Sequence, residues 1–206
     1  MTGNPAAYPV TVMFRQDLGI NRLWGIPLIG FLVRLILAIP LLIVLAILGI
    51  AAYVAILLLW IPVLLAGRQA SLVYTILGGY LRFSTRLLAY LYLLEGRYPP
   101  FTFGEAPDAD VFVHFEEGQP INRLWGIPIL GYVVRYIVLI PHLIVLAVLG
   151  IAAGICLYLS WIPVLLMGHQ AGLVYALVGG WLRYLVRVGA YMFLLTDRYP
   201  PFSLGN

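Results

Sequence analysis

Two long stretches without Asp, Glu, Lys or Arg dominate the chain, residues 35–66 and 137–168, the second carrying His142. Each exceeds the roughly 20 apolar residues that one membrane crossing needs. Ahead of each stands a short alternation of apolar and polar positions, Val10, Val12 and Phe14 in one place and Val111, Val113 and Phe115 in the other. Alternation over five or six residues predicts a half-buried strand. After each comes a less apolar segment, residues 71–94 and 172–195, with helical periodicity. Arg97-Tyr98-Pro99-Pro100-Phe101 and Arg198-Tyr199-Pro200-Pro201-Phe202 then force extended backbone, because adjacent prolines cannot continue a helix.

The paired description reflects a duplication. An offset of 101 residues aligns the chain with itself without a gap, and about 55 of about 96 positions are identical. Asn21-Arg22-Leu23-Trp24-Gly25-Ile26-Pro27 returns from Asn122, and Trp60-Ile61-Pro62 returns from Trp161. The units are residues 1–105 and 106–206, joined through an acidic linker at 105–118.

About 45 apolar residues per unit are too many for one straight helix across hydrocarbon about 30 Å thick. Two arrangements answer this. In one, a hairpin turns between residues 40 and 49 and the third helix lies amphipathic along the interface. In the other, the segment before Pro40 is half-embedded, residues 41–66 cross, and residues 71–94 cross back. The second puts two arginines deep in the membrane at about 2.5–3.5 kcal/mol each, so the hairpin is expected. The fold class is thus an all-α integral membrane protein of two tandem parallel repeats, each a transmembrane helical hairpin plus an amphipathic interfacial helix. Short flanking strands on one face could pair into a cap. Both units then return to their starting side, related by an axis along the membrane normal.

Composition sharpens the class. Apolar residues make up 63% of the chain and charged residues 10%, against about 45–50% and about 25% in soluble domains. All twelve cations are arginines, against eight carboxylates. The net +4 is too small and scattered for a nucleic-acid surface and suits anionic lipid headgroups instead. The single cysteine, Cys156, sits in an apolar run. Residues 1–19 lack the pattern of a cleaved signal, so a multi-pass protein with both termini on one side, the cytoplasmic one, is expected.

The candidate chemistry is basic. Tyr74, Gly78, Arg82, Arg86 and Tyr90, and again Tyr175, Gly179, Arg183, Arg187 and Tyr191, fall four apart and so share one helical face. Guanidinium forks suit phosphate or carboxylate, which makes these rows candidates for a lipid or cofactor headgroup site; the plain alternative is snorkelling to the surface. Arg34 and Arg135 lie inside apolar stretches, where an arginine is a site candidate or another snorkelling group. Trp24, Trp60, Trp125 and Trp161 read as interface anchors. His142 is a weak candidate for a metal or pigment ligand, because it has no duplicated partner; His114 and His169 are not duplicated either. Gly78-Gly79 and Gly179-Gly180 suit close helix packing. Glu95 and Asp197 read as local partners of Arg97 and Arg198. No catalytic set, phosphate loop or intramembrane carboxylate is legible, so no enzyme is expected. Bound lipid is the expected ligand, with a pigment as an alternative occupant and no certain cofactor.

Leu35-Ile36-Leu37-Ala38-Ile39-Pro40 and the ending Leu195-Thr196-Asp197-Arg198-Tyr199-Pro200-Pro201-Phe202 resemble a bacterial membrane family, the domain of unknown function 4389, once per repeat. The second copy fits better, through Pro141-His142 and Thr196-Asp197; the first departs with Leu41 and Glu95-Gly96. The resemblance implies a bacterial inner-membrane protein and carries no activity. The leading expectation is an accessory subunit docked onto a larger, energy-transducing membrane complex. A small transporter or channel on the repeat axis comes next, and a membrane-shaping, lipid-organising protein after that.

Overall fold

The computed structural model describes residues 8–15 and 19–205. Most of the stretch that bears on the chain's start, residues 1–7 and 16–18, lies outside them. Each copy runs strand, 3-10 turn, long helix, short helix, third helix: β1 (Val10–Phe14), α1 (Ile29–Leu58), α2 (Trp60–Ala66) and α3 (Ser71–Leu91), then β2 (Val111–Phe115), α4 (Leu130–Leu159), α5 (Trp161–Met167) and α6 (Gly172–Met192). Three helical segments are long and apolar enough to cross a membrane: Ile29–Ala66, Leu130–Met167 and Gly172–Met192. The protein is a mostly helical membrane protein built from two tandem repeats.

The expected hairpin turn is not there. The helix α1 continues through Pro40, and α4 through Pro141. A proline removes one backbone donor and leaves the carbonyl four residues earlier without it. Beside that gap the Tyr98 hydroxyl donates to the Leu37 carbonyl at 3.1 Å, and Tyr199 donates to Val138 at 3.2 Å. The interruption comes later, at Leu59 and Ser160. There Pro62 and Pro163 deny a donor to Leu58 and Leu159, and their rings crowd those carbonyls. Gly67 and Gly168 then turn the chain in the left-handed conformation, at φ 66° and 75°.

The third helix returns antiparallel along the first. Arg34 near the start of α1 reaches the backbone at Tyr90 and Glu95, while Gly49 faces Tyr80. Little of α3 is left exposed, because three of its stripes are covered. Phe83, Leu87 and Tyr90 pack on α1, and Gly78, Arg82 and Arg86 meet β2. Leu77 and Leu81 join α6 in the central core.

The two copies meet across an approximate twofold. The strands pair antiparallel with Val12 opposite Val113, which are equivalent residues, so the axis passes through that pair. The helices α3 and α6 are antiparallel as well: Tyr80 packs on Phe193 and Tyr92 on Trp181, at ring separations of 6.2 and 5.3 Å. An axis that reverses the direction of equivalent helices stands perpendicular to them. The sheet lies on that axis, over the middle of α3 and α6, and α1 and α4 touch neither the sheet nor each other.

Candidate functional site: an internal arginine framework

The arginine rows point inward. Arg82 donates Nε to the Val113 carbonyl at 3.2 Å, and Arg183 donates to Val12 at 3.2 Å. These acceptors are the residues on the twofold, so each row ties its helix to the strand lying over it. Arg82 stacks on Phe115 and also stands 3.5 Å from the Glu105 carboxylate; Arg183 stacks on Phe14. One turn on, Arg86 gathers the carbonyls of Val111, Thr102 and Gly104 at 3.4, 2.9 and 2.9 Å. Arg187 gathers Ser203 and Gly205 at 3.2 and 2.5 Å. The segment after each Pro-Pro pair is therefore pinned to its helix by an arginine fork. Arg86 and Arg187 are 1% and 2% exposed, so these guanidinium groups serve main-chain carbonyls rather than the surface.

Arg34 and Arg135 are 1% and 2% exposed, and neither snorkels. Each cation lies between two rings, Trp24 and Tyr90 for Arg34, Trp125 and Tyr191 for Arg135. Each donates to carbonyls that end the third helix: Tyr90 and Glu95 in the first copy, Tyr191 and Thr196 in the second. A cation suits that place, because the last carbonyls of a helix carry partial negative charge. Tyr74 and Tyr175 sit under the strands, Tyr175 edge-on to Phe14 at 6.3 Å. Trp24, Trp60 and Trp125 are half-buried and Trp161 is exposed.

The Asp197 carboxylate takes Arg135 at 2.6 Å and accepts from the Asn122 backbone N–H at 3.0 Å. The first copy has Gly96 at that position. Glu95 is buried beside Asp110 with no partner on Oε1, and burial with the neighbouring Asp110 charge pushes its carboxyl up to about 8. His142 is wholly buried, with Nδ1 on the Tyr184 hydroxyl and its ring stacked 4.0 Å from Phe202. Among the described residues, no three His, Cys, Asp or Glu side chains stand together to hold a metal.

One functional contact was hidden from sequence reasoning, although its glycine lies inside a duplicated motif. The 3-10 turn Arg22–Gly25 packs on α5, and Arg123–Gly126 packs on α2, so each copy grips the other. A Cβ on Gly25 would fall 2.4 Å from the Leu165 nitrogen, and one on Gly126 would fall 2.4 Å from the Leu64 nitrogen. Only glycine permits that approach.

The family model for the domain of unknown function DUF4389 matches residues 29–102 and again residues 130–203. The chain belongs to this family. Each match spans the long helix, the short helix, the third helix and the Pro-Pro segment, and leaves the strand and the glycine-containing 3-10 turn outside. No curated protein and no solved structure matches the chain.

Proposed function

We propose that this DUF4389 protein lies in the plane of one membrane leaflet and organises the lipid there, a wedge with two long apolar rods below and a polar sheet above. The observation that carries the reading is the sheet's position over the middle of two antiparallel helices. Were α3 and α6 to cross, the sheet and its exposed Arg15, Glu105 and His114 would sit at mid-bilayer. Exposed sheet edges and charges are not tolerated in hydrocarbon. With the twofold along the membrane normal, the same groups face water and both copies meet lipid alike.

Length supports this too. The helix α1 alone, Ile29–Leu58, is 30 residues, about 45 Å against about 30 Å of hydrocarbon. Upright, it would leave apolar turns in water, since side chains from Ile29 to Leu58 are exposed along its whole length. The tilt needed to hide them exceeds the range of 0–40° seen in crossing helices. Lying flat hides them all. A rigid slab of this kind expands one leaflet over the other.

The test is reconstitution into large anionic vesicles followed by electron microscopy. Tubules, or sorting of the protein to small vesicles, is the expected result; even distribution on unaltered vesicles of every size overturns the reading. A second reading, an accessory subunit docked from the water side of a bacterial inner membrane, is favoured by one feature of the sheet. Met13 is exposed opposite Phe112, which stacks on His114, an apolar spot amid acidic residues. A stoichiometric partner retained in native mass spectrometry, and lost on Met13→Glu, would establish it.

A further inference from the structure

Within the helices, the copies differ most sharply in one place. Between the identical stretches 149–153 and 161–166, residues 154–158 differ from their counterparts 53–57 at every position. Gly154 stands where the first copy has Tyr53, and a Cβ added there would meet nothing within 4 Å. Gly154, Leu157 and Tyr158 form one wall of a cleft of about 450 Å³, and Trp24, Phe31 and Arg34 of the other copy form the opposite one. That volume lies within the range of small-molecule sites, and the lining is mostly apolar with one cation, as such sites are.

A second difference falls on the same cleft. Arg135 has the Asp197 carboxylate at 2.6 Å, but the equivalent of Asp197 is Gly96, and among the described residues no carboxylate lies within ion-pair distance of Arg34. Two of the Arg34 nitrogens donate to carbonyls; its Nε, like that of Arg135, is buried without a partner. A buried cation is costly without a counter-ion. Glu95, the carboxyl whose charge Arg34 feels, is itself pushed up to about 8 by burial and by the neighbouring Asp110 charge, which weakens it as a counter-ion.

We infer that the cleft seats one anionic phospholipid, its phosphate on the unpartnered N–H edge of Arg34 and one acyl chain along Phe31, Leu157 and Tyr158. A guanidinium retains enough donors after two carbonyl bonds to take a phosphate oxygen pair, and the apolar walls suit a chain entering sideways from the bilayer. The pseudo-equivalent position carries Tyr53 in place of the glycine and a carboxylate already on its arginine. One lipid per chain follows. The inference rests on the protein residing in a membrane, whichever way its helices lie.

The test is native mass spectrometry of delipidated protein in dodecyl maltoside, titrated with dioleoylphosphatidylglycerol, dioleoylphosphatidylcholine or oleate. The expected result is one phosphatidylglycerol retained per chain, with half-saturation at least about tenfold below that of phosphatidylcholine. Gly154→Tyr, which restores the bulk of the first copy, should raise that concentration at least about tenfold. Gly96→Asp, which gives Arg34 the carboxylate of the second copy, should do the same. Circular dichroism checks that each variant folds; if Gly154→Tyr does not, Gly96→Asp decides. Equal retention of the two phospholipids, preference for oleate, or undiminished binding in a folded variant would each overturn the assignment.

Discussion

An arginine inside an apolar segment is tolerable when its N–H groups find acceptors nearby, and the acceptors here are backbone carbonyls left over by helix ends, a two-stranded sheet and Pro-Pro turns. The spacing of Arg82 and Arg86 was legible, since four-residue periodicity needs only the local helix. Their partners were not, because Val113 and Val111 lie in the other copy and Thr102 and Gly104 in a loop. A headgroup and a carbonyl look alike to a guanidinium, so sequence could not choose between them. Glu95 gives a prediction at this scale. Its carboxyl sits at about 8 in the folded protein against an ordinary 4.5. The folded state therefore holds a proton that the unfolded chain has released, and stability falls as pH rises between those values. Glu95→Gln should melt several degrees higher than the unaltered protein at pH 8 and converge with it near pH 4.5, read by thermal unfolding in detergent; parallel curves would contradict this.

At the scale of elements, the turn expected between residues 40 and 49 rested on the premise that the apolar region must cross the membrane and return. The helix continues through Pro40, and Tyr98, 61 residues away, donates its hydroxyl to the Leu37 carbonyl next to the lost bond. The true break at Leu59 has its own proline one turn ahead, a signal that was present in the sequence and competed with Pro40 for the same role. The reciprocal grip of the 3-10 turns on α2 and α5 makes the two copies one cooperative body. Gly126→Ala should cost at least the about 1–3 kcal/mol of ordinary overpacking, a drop of several degrees, because its Cβ meets main chain at 2.4 Å. Gly172→Ala, which meets nothing within 4 Å, should leave the midpoint unchanged. Equal effects of the two would show that the contact is not the restraint inferred.

At the scale of the molecule, duplication was plain from identity alone, and the pairing of the flanking strands followed from their alternation. What identity cannot carry is the direction of the axis relating the copies. That depends on which faces of α3 and α6 meet, and the faces are set by Leu81 against Gly189 and by the Tyr and Trp pairs at either end. Antiparallel packing of equivalent helices turns a twofold along the normal into an arrangement with helices lying down. Single cysteines at Ile36, Ile47, Leu58 and Leu65, labelled with a fluorophore and quenched by lipids brominated at graded depth, test this most directly. The four sites should report one common depth within a single leaflet; a steady progression from one surface through the bilayer centre to the other would contradict the in-plane account.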